Sequence, residues 1–355
     1  MAVPLMAAPQ AAASPAAMSL MQPLSALGLV AASAVLTACL IIVIKPLLVR
    51  FLLARPNARS SHKVATPQGA GIAVMLALLA VCGVGATLLL PAQQGQSLWP
   101  VLAGAAGLTV LGTLDDAHAL AVTWRLIGQT LAALAIVATL PPDLRLLPDI
   151  LALLAERALL VLGTVACINA VNFLDGIDWM TVVEIVPITL AVALLAALHA
   201  VPPGVGLLAL ALLGTMLGFA AFNKHPAQMF LGDAGSLPIG LCLAFLLIFV
   251  ARADLAAGLL LALYIAADTG VTLCRRLINK EPVFSAHRSH FYQRAVSHGL
   301  SVPQVTARVF LLGVLLGGLA IGAVLTHSGV VDLLLLAIGA AATGLALRSL
   351  GRGRL

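Results

Sequence analysis

Charge is scarce in this 355-residue chain: 9% of its residues are Asp, Glu, Lys or Arg, against 62% that are hydrophobic. A water-soluble domain of this size needs a far more polar surface, so this scarcity, with a mean hydropathy of +1.12, excludes a soluble globular protein. Apolar–polar alternation is also missing. Stretches such as Val205 to Phe222 are apolar on nearly every face, which excludes a transmembrane barrel and leaves helices to satisfy the backbone inside the bilayer. The five cysteines, Cys39, Cys82, Cys167, Cys242 and Cys274, sit within apolar runs without paired spacing, so neither a disulfide framework nor a zinc site is supported. Residues 1–24 carry no charge and lack a basic segment of the signal-peptide kind, and they read as a loose N-terminal extension. The net charge of +6 follows from where basic residues sit relative to the bilayer and gives no reason to expect nucleic acid.

What is present is a series of about eleven spans, near residues 25–44, 69–90, 98–114, 124–140, 151–168, 181–200, 204–222, 236–251, 255–275, 304–326 and 329–347. The expected class is an all-α polytopic membrane protein, with one transmembrane domain over residues 25–347 and a basic tail over 348–355. With eleven spans, all of the 19 basic residues except Arg145, Arg157 and Arg252 fall on one side. Because Lys and Arg collect on the cytoplasmic side, the N-terminus is expected outside and the C-terminus inside. The loops near 91–97, 201–203 and 327–328 on the opposite side are short connectors.

Aspartates cluster where greasy segments give way to loops on that cytoplasmic side: Asp115 and Asp116, Asp175 and Asp178, and Asp233. Acids held at several membrane borders point to a divalent metal and a phosphorylated substrate. Adjacent carboxylates such as Asp115 and Asp116 repel, so leaving water requires a cation, a basic group or a retained proton; solvated helix caps are the plain alternative. Asn169, Asn172 and Asp175 follow at i, i+3 and i+6, and Asp178 continues the stripe if Gly176 does not break the helix. Such oxygen donors suit Mg²⁺, although amides also serve as glue between helices. Gly232 and Gly235 flank Asp233 and allow close approach of a ligand, with Asp233 as a metal ligand or a helix cap. Lys63, ahead of Thr66-Pro67-Gln68-Gly69, reads as an anion contact or a positive-inside anchor. His287, Arg288 and His290 lack the further ligands of a zinc site, and phosphate binding suits them better. Glu184 and Asp268 lie within apolar runs and should point into the bundle, with Arg275 or Arg276 as a partner within reach of Asp268.

Taken together, Arg59-Ser60-Ser61-His62 with Thr66-Pro67, the Asp115-Asp116 pair, the run from Asn169 through Asn172 and Asp175 to Asp178, Gly232-Asp233-Ala234-Gly235-Ser236, and His287-Arg288-Ser289-His290 resemble the polyprenyl-phosphate N-acetylhexosamine-1-phosphate transferases (glycosyltransferase family 4). The resemblance covers residues 55–300. The loop around His287 is closer to the O-antigen-initiating branch than to the related phospho-muramoyl-pentapeptide transferases. Trp179 stands where the family usually has Gly, which implies a reshaped sugar pocket.

The resemblance implies transfer of HexNAc-1-phosphate from a UDP-HexNAc to undecaprenyl phosphate at the cytoplasmic face of a bacterial inner membrane, with release of UMP. It implies Mg²⁺, with Mn²⁺ as a substitute, held by Asp233, Asn172 and Asp175. Asp115 or Asp116 would act on the lipid phosphate, Asp175 and Asp178 would complete the acidic set, and Lys63, Asn169, Asn172, His287, Arg288 and His290 would bind substrate. The partners are then the UDP-sugar, undecaprenyl phosphate and the bilayer, with a homodimer also to be considered. A muramoyl-pentapeptide-type enzyme is the runner-up. An ion-coupled transporter stands further off, because transporter sites lie near the midplane and these acids lie at one border.

Overall fold

The computed structural model describes residues 22–54, 65–148, 150–282 and 287–352. Lys63 and the Arg59–His62 segment lie outside the described residues, as do residues 1–21 of the expected extension. The chain runs through α1 (Pro23–Phe51), β1 (Leu53–Ala54), β2 (Thr66–Pro67), α2 (Ala70–Leu88), the short α3 (Ala92–Gln96), α4 (Trp99–His118), α5 (Val122–Thr139), α6 (Leu153–Leu174) and α7 (Met180–Ala197). It continues through α8 (Pro203–Asn223), α9 (Asp233–Ala253), α10 (Leu255–Ile278), the short α11 (Phe291–Ser297), α12 (Val302–Thr326) and α13 (Gly329–Arg352).

Ten helices among the described residues are long and apolar enough to cross a membrane. The span expected near residues 98–114 does form a helix, the 20-residue α4, but it is not among the ten. Asp115 and Asp116 at its end, with Trp99 and Pro100 at its start, dilute its apolar content. The all-α polytopic class therefore holds, with α4 as the least lipophilic of the expected spans.

The helices sort by depth. The apolar windows of α7, α8 and α9 are 83, 78 and 83% buried within the protein, whereas those of α1 and α13 are only 17% buried. The former make a central core. The latter turn large apolar side chains outward, among them Ile42, Val43, Leu333 and Leu334, as lipid-facing helices do. Without a hydrophobic drive between helices in lipid, close packing depends on small residues at the crossings. Gly112 of α4 lies against the backbone of Asp233, and Gly71 of α2 lies against that of Gly235; a Cβ at either position would collide with α9.

A small antiparallel pair reinforces the same end of the bundle, with Leu53 opposite Pro67 and Ala54 opposite Thr66. Pro67 accepts the Phe230 amide at 2.9 Å, while Phe230 and Leu231 accept the amides of Ala70 and Gly71 at 3.0 and 2.9 Å. The start of α2 and the approach to α9 are thus stitched together through their backbones, which no side-chain pattern signals.

Glu184 and Asp268 both point into the bundle, at 3 and 0% exposure. Arg275 and Arg276, the basic residues within reach of Asp268 on the same helix, do not pair with it. Asp268 faces His290, and the two arginines reach Ser289 instead.

Candidate active site

The site is built at the end of the bundle where α4 and α6 finish and α5, α7 and α9 begin. Asp115 and Asp116 occupy the last turn of α4, where they would be unfavourable against the carbonyl end of the helix without other partners. Both have them. Asp116 accepts the backbone amides of Asp233 and Ala234 at 3.0 and 3.1 Å, so it caps the start of α9 from a different helix, and Gln68 donates to it as well. Gly232 takes φ +75°, and a Cβ there would strike the Asp116 carboxylate. The glycine before Asp233 therefore serves both the turn and the approach of Asp116.

Asp115 turns the other way. One of its oxygens accepts the Leu120 amide at 2.6 Å, and the other lies 3.1 Å from Arg125 Nη1. The same Arg125 nitrogen is 3.7 Å from Asp233, so one guanidinium spans two carboxylates from different helices. Asn172, in the last turn of α6, donates through Nδ2 to Asp233 Oδ1 at 2.8 Å and to Ser236 Oγ at 2.9 Å. Asp115, Asp116, Asn172 and Asp233 are thus brought into one polar cluster, with Arg125, Gln68 and Ser236 as members that the sequence reading did not assign. Arg125 had signalled only membrane orientation, and Gln68 and Ser236 had no signal beyond lying in recognised motifs.

Asp175 stands next to this cluster. It follows the end of α6, accepts a hydrogen bond from Thr181 at 2.5 Å, and lies near enough to Asp116 to feel its charge. Burial pushes the Asp175 carboxyl up to about 7, the Thr181 bond opposes the rise, and Asp116 adds to it.

Two of the expected residues are engaged elsewhere. Asn169 exchanges hydrogen bonds with Gln129 of α5, donating at 2.6 Å and accepting at 3.4 Å, and it also donates to the Val165 carbonyl at 2.8 Å. The stripe does not reach Asp178, because α6 ends at Leu174. Asp178 instead holds the loop after α8, with His225 Nδ1 at 2.6 Å and the Ala227 amide at 3.0 Å. Between these elements Trp179 takes φ +65°. Its backbone amide donates to Asn223 at 2.7 Å and its indole N–H to the Ala220 carbonyl at 2.7 Å, so the ring is held against α8.

The loop before α11 closes over the same end. His287 and His290 stack with ring centroids 5.0 Å apart, and Tyr292 donates to the Phe173 carbonyl of α6 at 3.0 Å. Phe173 is the neighbour of Asn172, so this bond ties the histidine loop to the acidic cluster. Burial, together with the charge of Arg276 and the neighbouring His290, lowers His287 to about 4, which leaves its imidazole neutral near pH 7.

The arrangement offers oxygen donors, one shared guanidinium and a neutral imidazole, a set suited to holding and neutralising phosphates. Among the described residues, no three His, Cys, Asp or Glu side chains are already grouped around a common metal position.

Comparison with known proteins points the same way. Residues 98–251 match the model of glycosyl transferase family 4. The chain is 29% identical over 273 residues to a Bacillus subtilis protein named "Probable undecaprenyl-phosphate N-acetylglucosaminyl 1-phosphate transferase", covering 73% of this chain and 74% of that one. It is 27% identical over 300 residues to the decaprenyl-phosphate N-acetylglucosaminephosphotransferase of Mycobacterium leprae, covering 73% of each. It is also 41% identical over 112 residues to the phospho-N-acetylmuramoyl-pentapeptide-transferase of Moorella thermoacetica, covering 31% of this chain and 34% of that one. The matched region contains Asp115, Asp116, Asn172, Asp175 and Asp233, so the helices that build the acidic cluster lie in the part of the chain that is similar to glycosyl transferase family 4.

Proposed function

We propose that the protein transfers HexNAc-1-phosphate from a UDP-HexNAc to undecaprenyl phosphate at the cytoplasmic face of a bacterial inner membrane, releasing UMP. The observation that carries this reading is the convergence of Asp115, Asp116 and Asp233 from two helices, with Arg125 between Asp115 and Asp233, Asp116 on the Asp233 amide, and Asn172 bonded to Asp233. Charge neutralisation at the end of a membrane bundle is what the joining of two anionic substrates requires, since phosphoryl transfer rests on positioning and electrostatics.

In the reaction, an oxygen of the lipid phosphate attacks the β-phosphorus of the nucleotide sugar. The new P–O bond forms as the bond from that phosphorus to the bridging oxygen breaks, and the electron pair leaves with UMP. Asp115, paired with Arg125 and close to Asp116, orients the attacking lipid phosphate. His287 and Arg288 hold the donor's phosphates, as does Lys63.

The donor set fits a hard divalent cation. It offers oxygen rather than sulfur or nitrogen, and its three converging carboxylates exceed the single guanidinium that the described residues place among them. Asp233, with Asp175 and an amide oxygen from Asn172, would hold Mg²⁺; in the conformation described Asn172 turns its N–H₂ toward Asp233, so its amide would rotate. Mg²⁺ would supply charge neutralisation for the two phosphates of the donor. Mn²⁺ meets the same oxygen preference.

A muramoyl-pentapeptide donor is the second reading, supported by the relatives bearing that name. Purified protein given undecaprenyl phosphate, Mg²⁺ and a panel of UDP-GlcNAc, other UDP-HexNAc sugars and UDP-MurNAc-pentapeptide tests both. UMP release with a simple UDP-HexNAc is expected; release with the muramoyl donor alone selects the second reading, and no release with any donor defeats both.

A further inference from the structure

Resting on the reading above, we infer that His287 and His290 divide their labour: His290 is a buried prop clamped by Asp268, and His287 presents its Nε2–H to substrate phosphate. The two rings look alike in sequence, but their surroundings differ. His290 is 2% exposed, and Asp268 is fully buried on α10. Asp268 Oδ1 lies 3.2 Å from His290 Nδ1 and accepts the Phe291 amide at 3.0 Å, while its other oxygen accepts from Tyr264 at 3.3 Å. Thr272 adds a contact at 3.4 Å. A carboxylate taken so far from water needs these donors, and in return it fixes both the ring of His290 and the first turn of α11.

The ring so fixed is a platform. His287 stacks on it at 5.0 Å, and Tyr292 and Phe173 lie at 6.0 and 6.1 Å from it. His287 is only half-buried, so it is the ring of the pair that solvent and substrate reach.

A second chain of bonds selects its tautomer. Arg276 donates to Ser289 Oγ at 3.3 Å, and that hydroxyl lies 2.8 Å from His287 Nδ1. A guanidinium can only donate, so the serine oxygen accepts from Arg276 and its own proton points to His287. The Ser289 amide also approaches the same ring nitrogen, at 3.4 Å. Nδ1 is therefore the acceptor. In the neutral ring the proton then resides on Nε2, where it is available to a phosphate oxygen. Asp268 is a positioning residue in this scheme and does not touch substrate.

Two double-mutant cycles in the full-length protein, read as donor KM and kcat, test the inference. Asp268→Asn and His290→Gln should each raise donor KM by about tenfold with a smaller change in kcat, and the double variant should be no worse than the poorer single one, because both remove one clamp. In the second cycle, His287→Gln should already carry the loss, so that His290→Gln adds less than about threefold to it. Effects that multiply in both cycles would overturn the assignment. Should Asp268→Asn fail to fold, the cycle between His287→Gln and His290→Gln decides alone.

Hydrogen exchange across residues 287–297 gives a readout independent of turnover. Exchange at the start of α11 should quicken in His290→Gln and stay near wild type in His287→Gln; equal protection in both variants contradicts the prop. A wild-type protein that releases no UMP would instead defeat the proposed function, while the exchange result would still judge the clamp.

Discussion

The carboxylate of Asp116, at the end of one helix, accepts the backbone amide of Asp233, at the start of another, at 3.0 Å. Because a helix start carries unsatisfied N–H groups and partial positive charge, this contact is charge-assisted and joins α4 to α9 at the centre of the site. Asp116→Asn keeps one acceptor oxygen but loses the charge. Its expected cost is about 1–2 kcal/mol of stability, seen as a lower unfolding midpoint in detergent, together with a loss of turnover. An unchanged midpoint would show that Asp116 is not a cap.

Arg125 competes with any divalent cation for Asp115 and Asp233, from 3.1 and 3.7 Å. Removing it as Arg125→Gln should lower the Mg²⁺ concentration needed for half-maximal UMP release, because two carboxylates lose the one guanidinium paired with them among the described residues, while maximal turnover falls by about tenfold. A Mg²⁺ requirement that rises would mean that Arg125 helps to build the metal position.

Asp178 and Asn169 should behave as structural residues. Asp178→Asn weakens the bonds to His225 and Ala227, and Asn169→Ala breaks the exchange with Gln129. Each should cost about 1 kcal/mol of stability and leave donor KM within about threefold of wild type. A large KM change with an unchanged unfolding midpoint would return either residue to substrate binding.

His287 gives a pH-dependent prediction. Its folded value near 4 lies below the ordinary 6.5, so between those values the unfolded chain binds the extra proton and the folded one does not. The contribution of His287 to stability is then fully present above pH 6.5 and is lost as pH falls toward 4. Wild type should lose unfolding temperature relative to His287→Gln over that window in substrate-free protein. A constant difference from pH 7 to pH 4.5 would contradict the depressed value.

Much of the site was legible because membranes make polar residues expensive, so Asp115, Asp116, Asn172, Asp175 and Asp233 stood out against apolar runs. Their partners did not. Arg125 reads as one more positive-inside charge, and only the crossing of α4 with α9 reveals that it spans two carboxylates. Helical periodicity placed Asn169 and Asn172 on one stripe, but it could not show that Gln129 of the preceding helix takes Asn169. Nor could it show that the chain turns at Asp175 and sends Asp178 to His225. Asp268 and His290 are 22 positions apart, and no periodicity connects them. The apolar pattern did place the helices well, and α4 falls short of the others only in hydropathy, because the site's own carboxylates lower that of the helix that carries them.

The most direct measurement is UMP release from a UDP-HexNAc and undecaprenyl phosphate by purified wild type and Asp233→Ala, with Mg²⁺ and with chelator. Wild type should release UMP and stop when chelator is added, and Asp233→Ala should lose at least about a hundredfold while staying folded in detergent. Turnover by Asp233→Ala close to that of wild type, or turnover unaffected by removing divalent cations, would contradict the proposed metal-dependent transfer.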